Sequence, residues 1–258
     1  MKPSPLRTVM ITGASGSIGA ALARAYAAPD VRLILHGRDE DRLNLVAEDC
    51  EQQGATVLLG LFDLTDTPQL QAWVHDIDYL YPLDLVIVNQ GININVGPEA
   101  AGEDWAQIEQ LLDVNLRATL ALAHTVALAM KARGHGQIAL MSSLAGFFGL
   151  PLTPAYSASK AGVKAYGEAL RGWLAPYGVQ VTVVMPGYVA SAMSDAMPGP
   201  KPFVWAPDRA AKLIQRRLAL NHARISFPFP LNIGCWLLAV LPPSWSVNIL
   251  ALLGYRAL

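Results

Sequence analysis

Six short apolar runs, separated by longer amphipathic segments, constrain this chain more than any other feature. The runs are Arg7–Thr12, Val31–Leu35, Thr56–Leu61, Leu83–Val88, Gln137–Met141 and Val179–Val184. Between and after them lie segments with helical periodicity: Ser17–Ala27, Glu40–Gln53, Pro68–Tyr79, Glu103–Arg133, Tyr156–Ala175 and Pro207–Asn221. Runs such as "LVIV" and "VTVVM" are almost continuously apolar, the mark of strands covered on both faces. Strand–helix alternation of this kind predicts an α/β fold, a doubly wound parallel sheet with helices on both faces. The 258 residues suit one large domain or two small ones. No composition break precedes residue 225, so 1–224 reads as a single domain and 225–258 as an apolar helical extension packed on it.

The totals exclude several classes. Net charge is −1 and only 15% of residues are charged, which leaves no global field to gather nucleic acid or an anionic membrane. The two cysteines, Cys50 and Cys235, are far apart and in no metal-like spacing. A disulfide framework or a zinc site is not expected, and a reducing compartment fits. The N-terminal apolar run is too short for a signal peptide and meets glycines at once. The reading is cytoplasmic.

Two motifs point to chemistry. In "VMITGASGSIGAALARAYA" a strand runs into a glycine-rich turn and then a helix, with Gly13, Gly16 and Gly19 three apart. Backbone N–H groups in such a turn, with the N-terminus of the following helix, suit a pyrophosphate. Gly19 lets the helix pack close to the sheet. Taken without its context, the same triplet is only a tight turn. In "AYSASKAGVKAYG" Tyr156 and Lys160 are four apart and share one helix face. A cation beside a phenol favours the phenolate and brings its pKa down from about 10.

These stretches together resemble the short-chain dehydrogenase/reductase family. "TGASGSIG" is similar to the family's T-G-x-x-x-G-x-G loop, with Ser17 where the middle glycine is usual and Gly16 one place earlier. "FDLTD" puts Asp63 and Leu64 after the third strand, where the family contacts adenine; a turn aspartate capping the next helix is the plain alternative. "VIVNQG" resembles N-N-A-G: Asn89 and Gly91 match, while Val88 and Gln90 depart. Gln90 in place of alanine adds an amide near the expected cofactor. "LLDVNLRATL" places Asn115 at the family's helix asparagine, and "ALMSSLAGFFG" puts Ser143 thirteen residues before Tyr156. "VVMPGYVASAM" matches the P-G motif, with Pro186, Gly187, Val189 and Ser191 at nicotinamide-contacting places. The likeness covers about residues 7–224.

The resemblance implies a Rossmann-type domain, a nicotinamide cofactor and a carbonyl/alcohol substrate. It implies Tyr156 as acid/base, Ser143 as hydrogen-bond donor to the substrate oxygen, and Lys160 holding the ribose and favouring the phenolate. It implies Asn115 as the residue that bends its helix and supports a water chain to Lys160. Of Ser142 and Ser143 only one can serve, because neighbours on a strand face opposite ways. Gly13, Ser15, Ser17, Ile18 and Gly19 would hold the pyrophosphate side. Gly37 occupies the family's acidic position and Arg38 follows it; a guanidinium suits a 2′-phosphate, so NADP is favoured and NAD is the alternative. No metal is expected.

The substrate side is read from two loops. Phe147, Phe148, Leu150 and Leu152 follow Ser143; Tyr188, Met193, Met197, Phe203 and Trp205 follow the P-G motif, where Gly and Pro suggest a lid. Such walls fit an apolar or mixed ketone or alcohol, with Asn93 and Asn95 as further hydrogen-bonding groups. From Ile225 to Tyr255 no residue is charged. Prolines at 228, 230, 242 and 243 divide this tail into Leu231–Leu241 and Ser244–Leu253, each too short to span a bilayer. It could cover the pocket, form a subunit interface or lie on a membrane; with almost no basic residue, only Arg256 near its end, membrane contact ranks below protein burial. The long helices resemble those that pair subunits, implying a homodimer or homotetramer. Two rivals differ in class: a cofactor-sensing or scaffold protein, which would have little reason to keep Tyr156 and Lys160, and a sugar-modifying relative, which usually has a larger substrate domain.

Overall fold

The computed structural model describes residues 8–255; Arg7 and Arg256 lie outside them. Seven parallel strands form one sheet in the order β3-β2-β1-β4-β5-β6-β7. They are β1 (Thr8–Ile11), β2 (Arg32–His36), β3 (Thr56–Gly60), β4 (Leu85–Val88), β5 (Gly136–Met141), β6 (Val179–Pro186) and β7 (Arg224–Phe227). The strand order reverses between β1 and β4, and a crevice opens there at the carboxyl ends of the strands. Six of these strands coincide with the apolar runs. β7 straddles the start of the uncharged tail: its four residues pair with Val183–Pro186, and the expected division at 224/225 falls inside it.

The apolar strands β1, β2, β4, β5 and β6 are largely buried on both faces, while the edge strand β3 leaves Leu59 exposed. One core lies under α1 (Ser17–Tyr26), α2 (Glu40–Gln52) and α8 (Pro207–Ala219), and includes Leu22, Leu43 and Ile214. The other lies under α3 (Thr67–Leu80), α5 (Ala118–Arg133) and α6 (Pro154–Leu174), and includes Leu70, Leu122 and Leu170. Aspartates start three helices by accepting a backbone N–H: Asp39 from Arg42, Asp66 from Gln69 and Asp104 from Gln107, each at 3.0 Å. The Asp104 cap is why the third of these begins at Trp105 instead of Glu103.

That segment is not one regular helix. α4 (Trp105–Leu112) passes through a π-helical turn at Asp113–Arg117 before α5. Among the described residues, Trp105–Arg133 is the one helical stretch long and apolar enough to cross a membrane by length and composition alone, and half of its apolar window is buried inside the fold.

Beyond the sheet, a short α7 (Ala192–Asp195) sits in the loop after β6, and α9 (Leu231–Val240) and α10 (Pro243–Leu252) form the C-terminal hairpin. Leu238, Leu250 and Tyr255 pack with Leu152 in a small core of their own. The outward side of the hairpin leaves Trp236, Val240, Trp245 and Leu252 exposed.

Candidate active site

At the crevice the loop after β1 turns through Gly13 at φ +62°, a backbone conformation that favours glycine. Gly19, inside α1, has no room for a side chain: a Cβ there would lie 2.2 Å from the Gly13 carbonyl oxygen. The loop is also anchored from β4. The Asn89 carboxamide donates to the carbonyls of Thr12 and Gly13 at 3.1 and 3.2 Å. The sequence therefore places a backbone turn, not a side chain, against the crevice floor. The cradle matches the shape that a dinucleotide pyrophosphate needs.

A cavity of about 740 Å³ runs from this loop to the C-terminal hairpin. Gly13, Ser15, Ser17 and Ile18 line its first wall, with Arg38, Asp63 and Leu64 beyond them. Asn89 and Gly91 form its floor, and Pro186, Gly187, Val189 and Ser191 the side opposite. Gly19 and Asn115 do not reach the cavity wall: both stand behind it. Asp63 accepts the backbone N–H and the hydroxyl of Thr65, both at 2.9 Å. The Thr65 N–H is the main reason its carboxyl is held below the usual range. Asp66, not Asp63, caps α3.

Gly37 is tightly enclosed, since a Cβ there would come within 2.9 Å of the Ser15 hydroxyl oxygen. A side chain at that position would need the Ser15 hydroxyl and the Leu43 methyl to move aside. Beside it, Arg38 and Arg42 both line the cavity. Arg42, in the first turn of α2, was missed in the sequence, although its four-residue spacing from Arg38 was a readable signal.

Deeper in the cleft, Ser143, Tyr156 and Lys160 converge. Ser143, at the end of β5, hydrogen-bonds the Tyr156 hydroxyl. Its oxygen also accepts the Ala145 N–H at 3.2 Å. Ser142 faces the other way and donates to the Lys160 carbonyl at 2.7 Å, pinning β5 to α6. Lys160 Nζ lies 5.7 Å from the centre of the Tyr156 ring and donates to the Met141 carbonyl at 3.0 Å.

The electrostatics differ from the simple expectation of a cation depressing a phenol. Burial dominates both groups. It pushes Tyr156 above the ordinary phenol range, opposed by the hydrogen bond from Ser143. It brings Lys160 down to about 8. The protein by itself therefore keeps the phenol protonated.

Asn115 sits in the π-helical turn and is fully buried. Its carboxamide accepts the Ile92 N–H and donates to the Ile92 carbonyl, both at 2.8 Å. It also donates to Ser159 at 3.3 Å. It thus ties the irregular segment after Gly91 to the helix that carries Lys160. Gln90 lines the cavity, and its amide is held by hydrogen bonds to Thr12 and Thr119.

The substrate half is apolar. Phe148, Leu150, Tyr188, Met193 and Met197 line it as anticipated. Phe147 instead packs beside Leu144 and Val183, and Leu152 joins the small core under the hairpin. Phe203 is exposed, and Trp205 stacks on Phe227 with ring centres 5.0 Å apart. Asn93 and Asn95 do not reach the cavity; Asn95 closes a turn by accepting the Gly97 N–H at 2.9 Å. The rest of the wall was not foreseen residue by residue: Leu231, Cys235, Leu238, Leu250 and Tyr255 come from the C-terminal hairpin. Tyr255 also donates to the Pro200 carbonyl at 2.7 Å and lies 3.2 Å from the Tyr188 hydroxyl, which joins the C-terminal hairpin to the loop after β6. Among the described residues no cluster of His, Cys, Asp and Glu could hold a metal.

Comparison with known proteins agrees with this geometry. The model of the short chain dehydrogenase family matches residues 7–200. An uncharacterized oxidoreductase of Myxococcus xanthus is 32% identical over 237 residues, 92% of this chain and 93% of that protein. The ketoacyl reductase HetN of Nostoc is 35% identical over 185 residues, 71% of this chain and 64% of that protein. Among solved structures, a short-chain dehydrogenase from Sphingobium yanoikuyae in complex with NADPH superimposes with a TM-score of 0.79 at 26% identity, covering 95% of this chain and 93% of that one. With a glycine loop at the strand-order reversal, a Ser–Tyr–Lys cluster beside it and a family match over three quarters of its length, this chain belongs to the short-chain dehydrogenase/reductase family of oxidoreductases.

Proposed function

We propose that the protein is an NADP-preferring oxidoreductase that interconverts an apolar or mixed ketone and its alcohol, with Tyr156 as acid/base. The observation that carries this reading is the convergence of Ser143, Tyr156 and Lys160 at the junction of the glycine-loop cleft and the apolar half of one cavity. A bound nicotinamide supplies or takes the hydride. In reduction, Tyr156 gives its proton to the oxygen on which negative charge develops. Ser143 stabilises that charge by hydrogen bonding. Lys160, cationic below about pH 8, offsets the charge left on the phenolate. Asn115 holds Ile92 and the Lys160 helix in register. The apolar walls, including the C-terminal hairpin, exclude water and favour a substrate with little charge.

The cofactor preference rests on charge and space at the end of β2. Gly37 supplies no acid there and is crowded by Ser15 and Leu43, and Arg38 with Arg42 offers guanidinium groups suited to a 2′-phosphate. The Sphingobium relative binds NADPH, and a putative NAD(P)-dependent gluconate 5-dehydrogenase from Beutenbergia cavernae, 26% identical with a TM-score of 0.77, was solved with NADP. We read the assembly as a homodimer or homotetramer and the location as cytoplasmic.

Fluorescence titration with NADPH and NADH tests the proposal on wild type and on Arg38→Ala. NADPH should bind wild type more tightly, and the variant should lose most of that preference while keeping NADH. Equal or NADH-favoured binding by wild type overturns the NADP assignment. Failure to bind either overturns the enzyme reading.

A further inference from the structure

Gln90 occupies a place where the family's pattern has alanine, and its side chain makes a buried hydrogen-bonded chain. Thr12 Oγ1 donates to Gln90 Oε1 at 2.5 Å, and Gln90 Nε2 donates to Thr119 Oγ1 at 3.0 Å. The Thr12 hydroxyl oxygen in turn accepts the backbone N–H of Asn89 at 3.1 Å. Gln90, Thr12 and Thr119 are all at least nine-tenths buried. Buried hydroxyls and amides are costly when unpaired, so each partner holds the next in place.

The chain joins the two parts of the site that must be aligned. Thr12 immediately precedes Gly13. A Cβ on Gly13 would lie 2.9 Å from Gln90 Cα, so the glycine loop rests directly on the Gln90 backbone. On the other side, Gly91 is so close to Asn115 Oδ1 and Lys160 Nζ that a Cβ would be 3.3 Å from each. Thr119 lies two residues beyond the π-helical turn that carries Asn115. One side chain therefore spans β1, β4 and α5 directly behind the cradle and the Lys160 ammonium.

We infer that Gln90 is a positioning residue for the cofactor: through Thr12 and Thr119 it fixes the distance between the glycine loop and the Asn115–Lys160 pair. The inference rests on the proposed nicotinamide cofactor. Gln90→Met keeps the length and bulk of the side chain but removes both hydrogen bonds. Thr119→Val removes only the far partner with little change of shape.

The test is NADPH affinity by fluorescence, measured beside the thermal midpoint, for wild type, both single variants and the double variant. Each single variant should weaken NADPH binding about fivefold, the equivalent of one net hydrogen bond. The double variant should be no weaker than Gln90→Met alone, because the chain acts as a unit. NADPH affinities within twofold of wild type in both folded variants, even with lowered thermal midpoints, would overturn the inference, since a merely structural amide changes stability and not affinity. Should Gln90→Met not fold, Thr119→Val decides by the same criterion. A wild type that binds neither NADPH nor NADH removes the cofactor reading itself, and is seen before any variant is compared.

Discussion

Two glycine-to-alanine substitutions, both in helices, should change stability in opposite directions. By helix propensity each should help, since alanine is favoured over glycine by about 1 kcal/mol in a helix interior. At Gly172 in α6 nothing lies within 4 Å of the new methyl. Gly172→Ala should stabilise by about 0.5–1 kcal/mol, raising the thermal midpoint by about 1–4 °C. At Gly19 the methyl would lie 2.2 Å from the Gly13 oxygen, 2.8 Å from Ala14 Cα and 2.9 Å from Asn89 Nδ2. Two of these atoms are backbone, so the glycine loop itself must retreat. Overpacking of this kind costs about 1–3 kcal/mol. The Gly13 carbonyl also accepts from Gly16 N at 3.1 Å and Asn89 Nδ2 at 3.2 Å. Losing both adds about 1 kcal/mol each. After the propensity gain the net is a loss of about 2–4 kcal/mol, or about 5–15 °C in thermal midpoint. Because the displaced loop is the proposed pyrophosphate cradle, cofactor affinity should fall by about tenfold or more. Circular-dichroism melting and NADPH fluorescence measure the two effects. A Gly19→Ala protein that melts and binds like wild type would refute the claim that close packing of α1 on Gly13 sets the loop.

Tyr156→Phe should lower turnover by about 10²–10⁴-fold while leaving cofactor affinity nearly unchanged; turnover close to wild type on a ketone panel would assign the proton to another group. Lys160 predicts a pH dependence of stability. Its folded pKa of about 8 lies below the ordinary 10.5, so between those values the unfolded chain holds a proton that the folded chain has released. Stability therefore rises with pH through that window, by on the order of 3 kcal/mol if the shift is fully expressed. Tyr156 acts in the opposite sense above about pH 10, because its folded pKa is raised. Melting curves from pH 8 to pH 9.5 should show wild type gaining on Lys160→Met, and identical slopes would sink this account.

The sequence by itself determined the sheet and most of the residues around the cleft. Short continuous apolar runs bounded by turns suit strands covered on both faces, and helical periodicity between them supplies the covers, so most of the architecture follows from local pattern; the run at Thr56–Leu61 instead became the half-exposed edge strand β3. The Gly13–Gly19 turn and Tyr156 four before Lys160 were legible because each depends on neighbours near in sequence; Ser143 was legible only through the family resemblance. Tertiary structure decided the rest. The junction with the uncharged tail had no periodicity to separate a strand from a helix, and Arg224–Phe227 became β7 because the free edge of β6 was there to pair with it. The hairpin α9–α10 became the wall of the substrate half because its inner face met Leu152 and Phe148 across the cleft. Gln90 stands near the expected cofactor, as its position suggested, but the partners of its amide are hydroxyls 78 and 29 residues away in the chain. Which way a polar side chain points is set by partners that the sequence does not place beside it, and by the cost of leaving any of them buried and unpaired.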